Sequence, residues 1–125
     1  GIYNGFDAQQ MIQTTGAAAV MPGRGLLGNP WIVPEILNIL SKNSFTPPTL
    51  QQKKDICLKH LHLLVEFYGE RRAILKMRSI LPHYFSSCLF LKDLKKDIQQ
   101  MTDSKEISVL LERIKDSGMN VVYRK

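Results

Sequence analysis

Apolar positions near the start of the chain form one short continuous run and then become periodic. The run from Ala17 to Met21 has the length of a buried parallel strand, and it stops at a turn, Pro22-Gly23-Arg24-Gly25. The apolar residues that follow recur at helical spacing: Trp31, Ile32, Ile36, Ile39 and Leu40. We therefore expect a strand, a glycine turn and a helix, with Asn29 as N-cap and Pro30 at the first helical position.

The segment before this run repeats the same order. Residues 1–5 are typical of a strand end that closes in an Asn4-Gly5 turn. Asp7 can cap a short helix, and Gly16 can end that helix in the left-handed conformation. Strand, helix, strand and helix in succession is the connectivity of parallel α/β structure.

A linker is predicted at residues 42–50. Pro47 and Pro48 stop a helix and favour an extended chain, and Thr49 can start the next helix. We therefore divide the chain into a first part, 1–41, a helical domain, 51–118, and a tail, 119–125.

The helical domain is predicted to be an antiparallel bundle of about four amphipathic helices. Its first helix, 51–68, has an apolar stripe wide enough for two neighbours to cover: Ile56, Cys57, His60, Leu61, Leu63, Leu64, Val65, Phe67 and Tyr68. The second, from 70 to about 85, should bury Ala73, Ile74, Met77, Ile80, Leu81 and Tyr84. Pro82 should kink this helix or end it near Leu81.

The last two helices follow the same pattern. The third, 90–101, should face inward through Leu91, Leu94, Ile98 and Met101. Asp103 and Glu106 resemble a capping box for the fourth, which should end at Gly118 and bury Ile107, Leu110, Leu111 and Ile114. The predicted fold class is thus mainly α, with a helical bundle after a strand-helix-strand-helix segment.

Positive charge is concentrated in the helical domain. The chain has a net charge of +6, and Arg24 is the one basic residue among residues 1–40. In the second bundle helix Arg72, Lys76, Ser79 and His83 share a face that Arg71 and Arg78 flank, and no acid occurs from 71 to 92. A line of fixed cations suits RNA phosphates. The alternative is an ordinary solvated helix face.

The glycine turn is the second candidate binding element. A glycine turn at the carboxyl end of a strand lets the backbone approach a ligand, and its N–H groups can hold a phosphate. Arg24 could add a charge-assisted contact. The alternative is a tight turn with a solvated arginine.

Cysteine chemistry and membrane insertion are not indicated. Cys57 and Cys88 show no CxxC spacing, and Cys57 with His60 offers too few ligands for zinc, so we expect two buried thiols and no metal. We expect His60 to be an interior or boundary histidine and not a catalytic one. The apolar runs are far shorter than the roughly 18 residues of a membrane span, and no leader precedes them, so we expect a cytoplasmic protein.

Three segments together resemble the tRNA-dihydrouridine synthases. Val20-Met21-x-Gly23-Arg24-Gly25-Leu26-Leu27-Gly28-Asn29-Pro30-Trp31 resembles the last barrel strand and following loop of that family, and Asn4-Gly5-Phe6-Asp7 resembles the preceding strand end. Lys76-Met77-Arg78 with His83-Tyr84 resembles the Met-Arg-Lys-His…Trp-Tyr segment of its helical domain. The chain departs from the family at Pro22 and at Ser79-Ile80.

The resemblance implies a fold and an activity. Residues 1–41 would be the last part of a (β/α)8 barrel, and the whole enzyme would reduce tRNA uridine to dihydrouridine with FMN and NADPH. The FMN phosphate would meet Asn4, Gly5, Gly23 and Arg24. The tRNA would meet Arg71, Arg72, Lys76, Arg78 and His83. The family's catalytic cysteine lies earlier in the barrel, so we expect no catalytic residue here and no turnover by these residues alone.

Two other interpretations are open at this point. The chain could be a stand-alone helical RNA-binding or interaction module whose start is only an arm. It could also belong to another flavin-dependent barrel that acts on small molecules, because Gly-Arg phosphate loops recur among barrels.

Overall fold

The computed structural model describes residues 1–86 and 91–114, and these residues are mainly helical. They form six α-helices and one 3-10 turn: α1 Gly5–Thr15, the 3-10 turn Arg24–Leu26, α2 Ile32–Leu40, α3 Leu50–Tyr68, α4 Glu70–Tyr84, α5 Leu91–Gln100 and α6 Ser104–Arg113. The chain divides into two compact units, Gly1–Pro48 and Thr49–Lys125. The predictions for Cys88, for a helix end at Gly118 and for a tail at 119–125 fall outside the described residues.

The mainly helical fold is confirmed, but the two predicted strands are wrong. Neither residues 1–5 nor residues 17–21 form a strand, and residues 17–19 and 21 are exposed. A strand needs ladder hydrogen bonds to a neighbouring strand, and no described residue provides one. Ile2 and Val20 instead pack on a small core that α1 and α2 form with Ala8, Ile32 and Ile36.

The sequence predicted Asp7 as the N-cap of α1, but the N-cap is Asn4. The Asn4 side-chain oxygen accepts a hydrogen bond from the Asp7 N–H at 2.8 Å, and the Asp7 carboxylate accepts one from the Tyr3 N–H at 2.9 Å. Asn4 therefore caps the helix, and the Asp7 side chain holds the residue before the cap. Gly16 ends α1 with φ 70°, which confirms its predicted left-handed conformation.

The start of α2 also differs from the prediction. Trp31 is the N-cap, and α2 begins at Ile32, so Asn29 and Pro30 belong to the preceding turn. The Asn29 N–H donates to the Leu26 carbonyl at 3.1 Å, and Gly28 has φ 63°. Because residues 26–29 form a hydrogen-bonded turn, α2 begins two residues later than predicted, at Ile32.

The second unit is built on the antiparallel pair α3 and α4. They are joined at Gly69, whose φ of 80° favours glycine. Thr49 and Gln52 form a capping box at the start of α3, with hydrogen bonds of 2.8 and 3.2 Å. In addition, α4 contacts α5 and α3 contacts α6. The core contains apolar residues from all four helices and the turns after them: Cys57, Leu61, Ala73, Ile74, Met77, Leu81, Tyr84, Phe85, Ile98, Met101, Ile107, Leu110, Leu111 and Ile114.

Three local predictions for this unit are wrong in whole or in part. The stripe on α3 is narrower than expected, because α4 and α6 leave Leu63 54% and Phe67 81% exposed. Pro82 lies inside α4, which continues to Tyr84, so the helix does not end near Leu81; the other alternative, a kink at Pro82, stays a prediction. A proline in the last turn removes only one intrahelical hydrogen bond, and buried side chains on both sides hold the turn.

The third of these concerns the start of α6. Asp103 caps the helix by accepting from the Lys105 N–H at 2.8 Å. The Glu106 carboxylate lies 3.4 Å from the Thr102 hydroxyl, so the predicted capping box does not form. Among the described helices, none is long and apolar enough to cross a membrane.

Candidate functional site

The glycine turn of the first unit lies against the segment that leads into α1. A Cβ atom on Gly25 would stand 2.1 Å from the Ile2 carbonyl oxygen and 3.0 Å from Ile32 Cδ1. Only glycine therefore permits this approach. The two segments that the sequence predicted to share a phosphate are thus neighbours in the fold.

Gly23 and Arg24 form the open part of this turn. No atom lies within 4 Å of the position that a Gly23 Cβ would take. Both residues are exposed, and no described residue accepts a hydrogen bond from their N–H groups. These donors and the Arg24 guanidinium suit an anion such as a phosphate.

Asn4 and Gly5, by contrast, already have partners in the fold. The Gly5 N–H donates to Glu35 Oε1 at 2.9 Å, and the Asn4 side chain caps α1. A Cβ on Gly5 would lie 2.4 Å from Ile39 Cδ1, so this glycine lets α1 approach α2 closely. Sequence reasoning missed Glu35 as an anchor of the turn, because its partner lies 30 residues away in the sequence.

Four of the five predicted RNA-binding residues are exposed on α4. They are Arg71, Arg72, Lys76 and His83. Among the described residues, one ion pair forms: Arg113 on α6 lies 3.9 Å from Asp97 on α5. No described acid therefore pairs with the cations of α4. Lys76 Nζ lies 4.6 Å from the centre of the Tyr68 ring. We call Arg71, Arg72, Lys76 and His83 the cationic face.

Arg78, the fifth of these residues, has a structural contact. Its side chain is half-buried, and its Nε donates to the Met101 carbonyl at 2.9 Å, with a second guanidinium nitrogen donating to the same oxygen. On the same helix, Glu70 Oε1 accepts from the Ser104 N–H at 2.8 Å. Two side chains of α4 therefore hold the turn between α5 and α6.

Cys57, His60 and Tyr84 form a polar group between α3 and α4. Burial raises the pKa of the Cys57 thiol to about 12, which confirms a buried thiol and leaves no thiolate near neutral pH. His60 Nδ1 and the Tyr84 hydroxyl lie 2.9 Å apart. Burial lowers the pKa of His60, and burial together with Cys57 raises that of Tyr84 to about 12. His60 is thus a boundary histidine, as expected, and no described cluster has three potential metal ligands.

This mainly helical protein carries an exposed glycine turn in its first unit and the cationic face on α4 in its second unit. The family model for dihydrouridine synthase matches residues 1–118. The chain therefore belongs to the dihydrouridine synthase family, which is FMN-dependent in general. The resemblance seen in its motifs is confirmed.

Individual relatives agree with this assignment. The chain is 32% identical over 114 residues to a probable tRNA-dihydrouridine synthase of Mycobacterium tuberculosis, a match that covers 90% of this chain and 29% of that protein. It is 30% identical over 106 residues to tRNA-dihydrouridine synthase B of Pasteurella multocida, covering 84% and 32%. A third match, to tRNA-dihydrouridine synthase B of Xanthomonas axonopodis, is 38% identical over 78 residues. The chain spans about a third or less of the length of these relatives.

Proposed function

We propose that this chain is the C-terminal part of a tRNA-dihydrouridine synthase, an oxidoreductase that reduces uridine to 5,6-dihydrouridine in tRNA with FMN and NADPH. The family match over residues 1–118 is the observation that carries this proposal. The tRNA partner agrees with the cytoplasmic location expected from the sequence.

The second unit is proposed to grip the tRNA through the cationic face. Its side chains point into solvent and have no acidic partner among the described residues, so their charge is available to phosphates. Each phosphate that they neutralise releases condensed counterions, which supplies affinity without sequence specificity. Arg78 is proposed to have a structural role beside this surface, because its guanidinium donates hydrogen bonds to the Met101 carbonyl and so holds the turn between α5 and α6.

The first unit is proposed to hold the phosphate end of FMN at Gly23 and Arg24. Their N–H groups and the Arg24 guanidinium can donate to phosphate oxygens, whereas Asn4 and Gly5 shape the adjoining turn through Asp7 and Glu35. The bound flavin would supply hydride transfer, and these residues would bind and orient it.

Cys57, the described cysteine of this chain, does not suit the role of proton donor to the uridine. The Cys57 thiol is fully buried, with a pKa of about 12, and it lies among core side chains. The catalytic acid is therefore proposed to lie outside this chain, and these residues alone should not catalyse the reaction.

The tRNA part of the proposal is tested by measuring the affinity of the chain for tRNA with Arg72→Ala and Lys76→Ala variants. Each variant should weaken binding about fivefold to tenfold at 0.1 M salt, because each removes one phosphate contact. Arg113→Ala is the matched control, since it removes an exposed arginine on α6 that pairs with Asp97. Equal affinities for all four proteins would contradict the proposed grip.

The cofactor part is tested by titrating FMN and following its fluorescence. Wild type should bind more tightly than Arg24→Ala, and riboflavin, which lacks the phosphate, should show no difference between the two proteins. Equal FMN affinities would refute a phosphate contact by Arg24.

A further inference from the structure

The end of α3 carries an exposed aromatic pair beside the cationic face. Phe67 is 81% exposed and Tyr68 is 42% exposed. Their ring centres lie 5.1 Å apart, and the ring planes are inclined by 65°. A pair of exposed aromatic rings bordered by charged side chains is a candidate interaction surface.

Cations of α4 border this pair. Lys76 Nζ lies 4.6 Å from the centre of the Tyr68 ring and so covers part of one face. Arg72 lies one helical turn before Lys76, nearer to the junction at Gly69. The acid of α4's first turn, Glu70, is engaged by the Ser104 N–H, whereas Glu66 is exposed and unpaired among the described residues.

Rings next to cations match the chemistry of unpaired RNA. An unpaired nucleobase offers a flat face that stacks on aromatic side chains, and its phosphate takes the neighbouring charge. A base inside a duplex offers no free face, because it is already stacked. An apolar protein partner would cover Phe67 but would leave the adjoining cations without anions.

We propose that Phe67 and Tyr68 form a stacking platform for an unpaired nucleobase of RNA, with Arg72 and Lys76 holding the adjoining phosphates. This inference rests on the proposed tRNA binding and makes it more specific. The second unit then binds a loop or an end of the tRNA, and not only the backbone of a stem.

Replacing Phe67 tests the platform in the whole chain with an unmodified tRNA transcript. Phe67→Leu keeps an apolar side chain but removes the ring, and it should weaken binding about tenfold. Phe67→Trp should bind at least as well as wild type. Val109→Ala is the control, because Val109 is an apolar side chain that is 56% exposed on another helix, α6, and its replacement should change nothing.

Salt dependence separates stacking from charge. Phe67→Leu should leave the slope of log K against log salt unchanged, because the ring touches no phosphate, whereas Arg72→Ala should reduce the slope by about 1. A single-stranded oligoribonucleotide that contains 2-aminopurine provides a direct signal. Its fluorescence should be quenched by wild type and by Phe67→Trp, and less by Phe67→Leu, which keeps only the Tyr68 ring.

Wild-type affinity and quenching in Phe67→Leu would overturn the platform, and the ring would then contact another protein surface. If Arg72→Ala still weakened binding, the proposed tRNA grip would stand without it. If the folded wild-type chain did not bind tRNA at all, both the stacking platform and the proposed tRNA grip would be refuted. Melting temperatures within about 2 °C of wild type are expected for all variants, since these positions are exposed.

Discussion

Replacing Arg78 with alanine should destabilise the second unit, although Arg78 belongs to a run of surface cations. Its guanidinium donates twice to the Met101 carbonyl, and Met101 is 5% exposed. Hydrogen bonds to a charged group contribute about 1.5–3 kcal/mol. Because Arg78 is only half-buried, water replaces part of this interaction, and we expect a loss of about 1.5–2 kcal/mol. For a unit of this size the melting temperature should fall by about 6–16 °C.

Unfolding in urea followed by two signals measures this effect. Far-ultraviolet circular dichroism should show the lost stability of the second unit, whereas the fluorescence of Trp31, the one tryptophan of the chain, reports on the first unit and should not change. Arg71→Ala is the matched control, because it removes an exposed arginine of the same helix and should cost less than about 0.5 kcal/mol. Equal stabilities of the Arg78→Ala and Arg71→Ala proteins would refute a structural role for Arg78.

Three further predictions concern the two units. Gly25→Ala should destabilise the first unit by about 1–3 kcal/mol in Trp31 fluorescence, since its Cβ would meet the Ile2 carbonyl; a variant as stable as wild type would contradict this packing. Thr49→Ala should cost the second unit about 1 kcal/mol by circular dichroism, because it removes the α3 capping box, and Thr49→Asp should restore most of this. The pKa of folded His60 is below its ordinary 6.5. The unfolded chain therefore binds more protons, and stability should decrease as the pH falls from above 6.5 to the folded-state pKa; this decrease should be smaller in His60→Gln.

Helix positions in the second unit could be predicted closely from the sequence. The bounds of α3 and α4 agree with the predictions to within one residue, because helical apolar spacing there lies between a local cap at Thr49 and a glycine at Gly69. Both signals act over a few residues. The burial of Ile107, Leu110 and Leu111 on α6 was predictable for the same reason.

Features that depend on distant partners could not be predicted. The apolar run from Ala17 to Met21 is a strand signal, but a strand forms only where a neighbouring strand pairs with it. Arg72 and Arg78 look alike in the sequence, and only the fold shows that Arg78 meets Met101, 23 residues later. Phe67 fits the apolar stripe of α3 by spacing, yet no helix that the structure describes covers it, because helical spacing does not report how many neighbours a helix has.

The most direct test of the account is the salt dependence of tRNA binding by this chain, compared with a variant that carries both Arg72→Ala and Lys76→Ala. The account predicts salt-sensitive binding, and a slope of log K against log salt that is smaller by about 2 in the double variant, with Arg113→Ala equal to wild type. A folded chain that does not bind tRNA at low salt, or a double variant with the wild-type slope, would contradict the central claim that the cationic face grips tRNA.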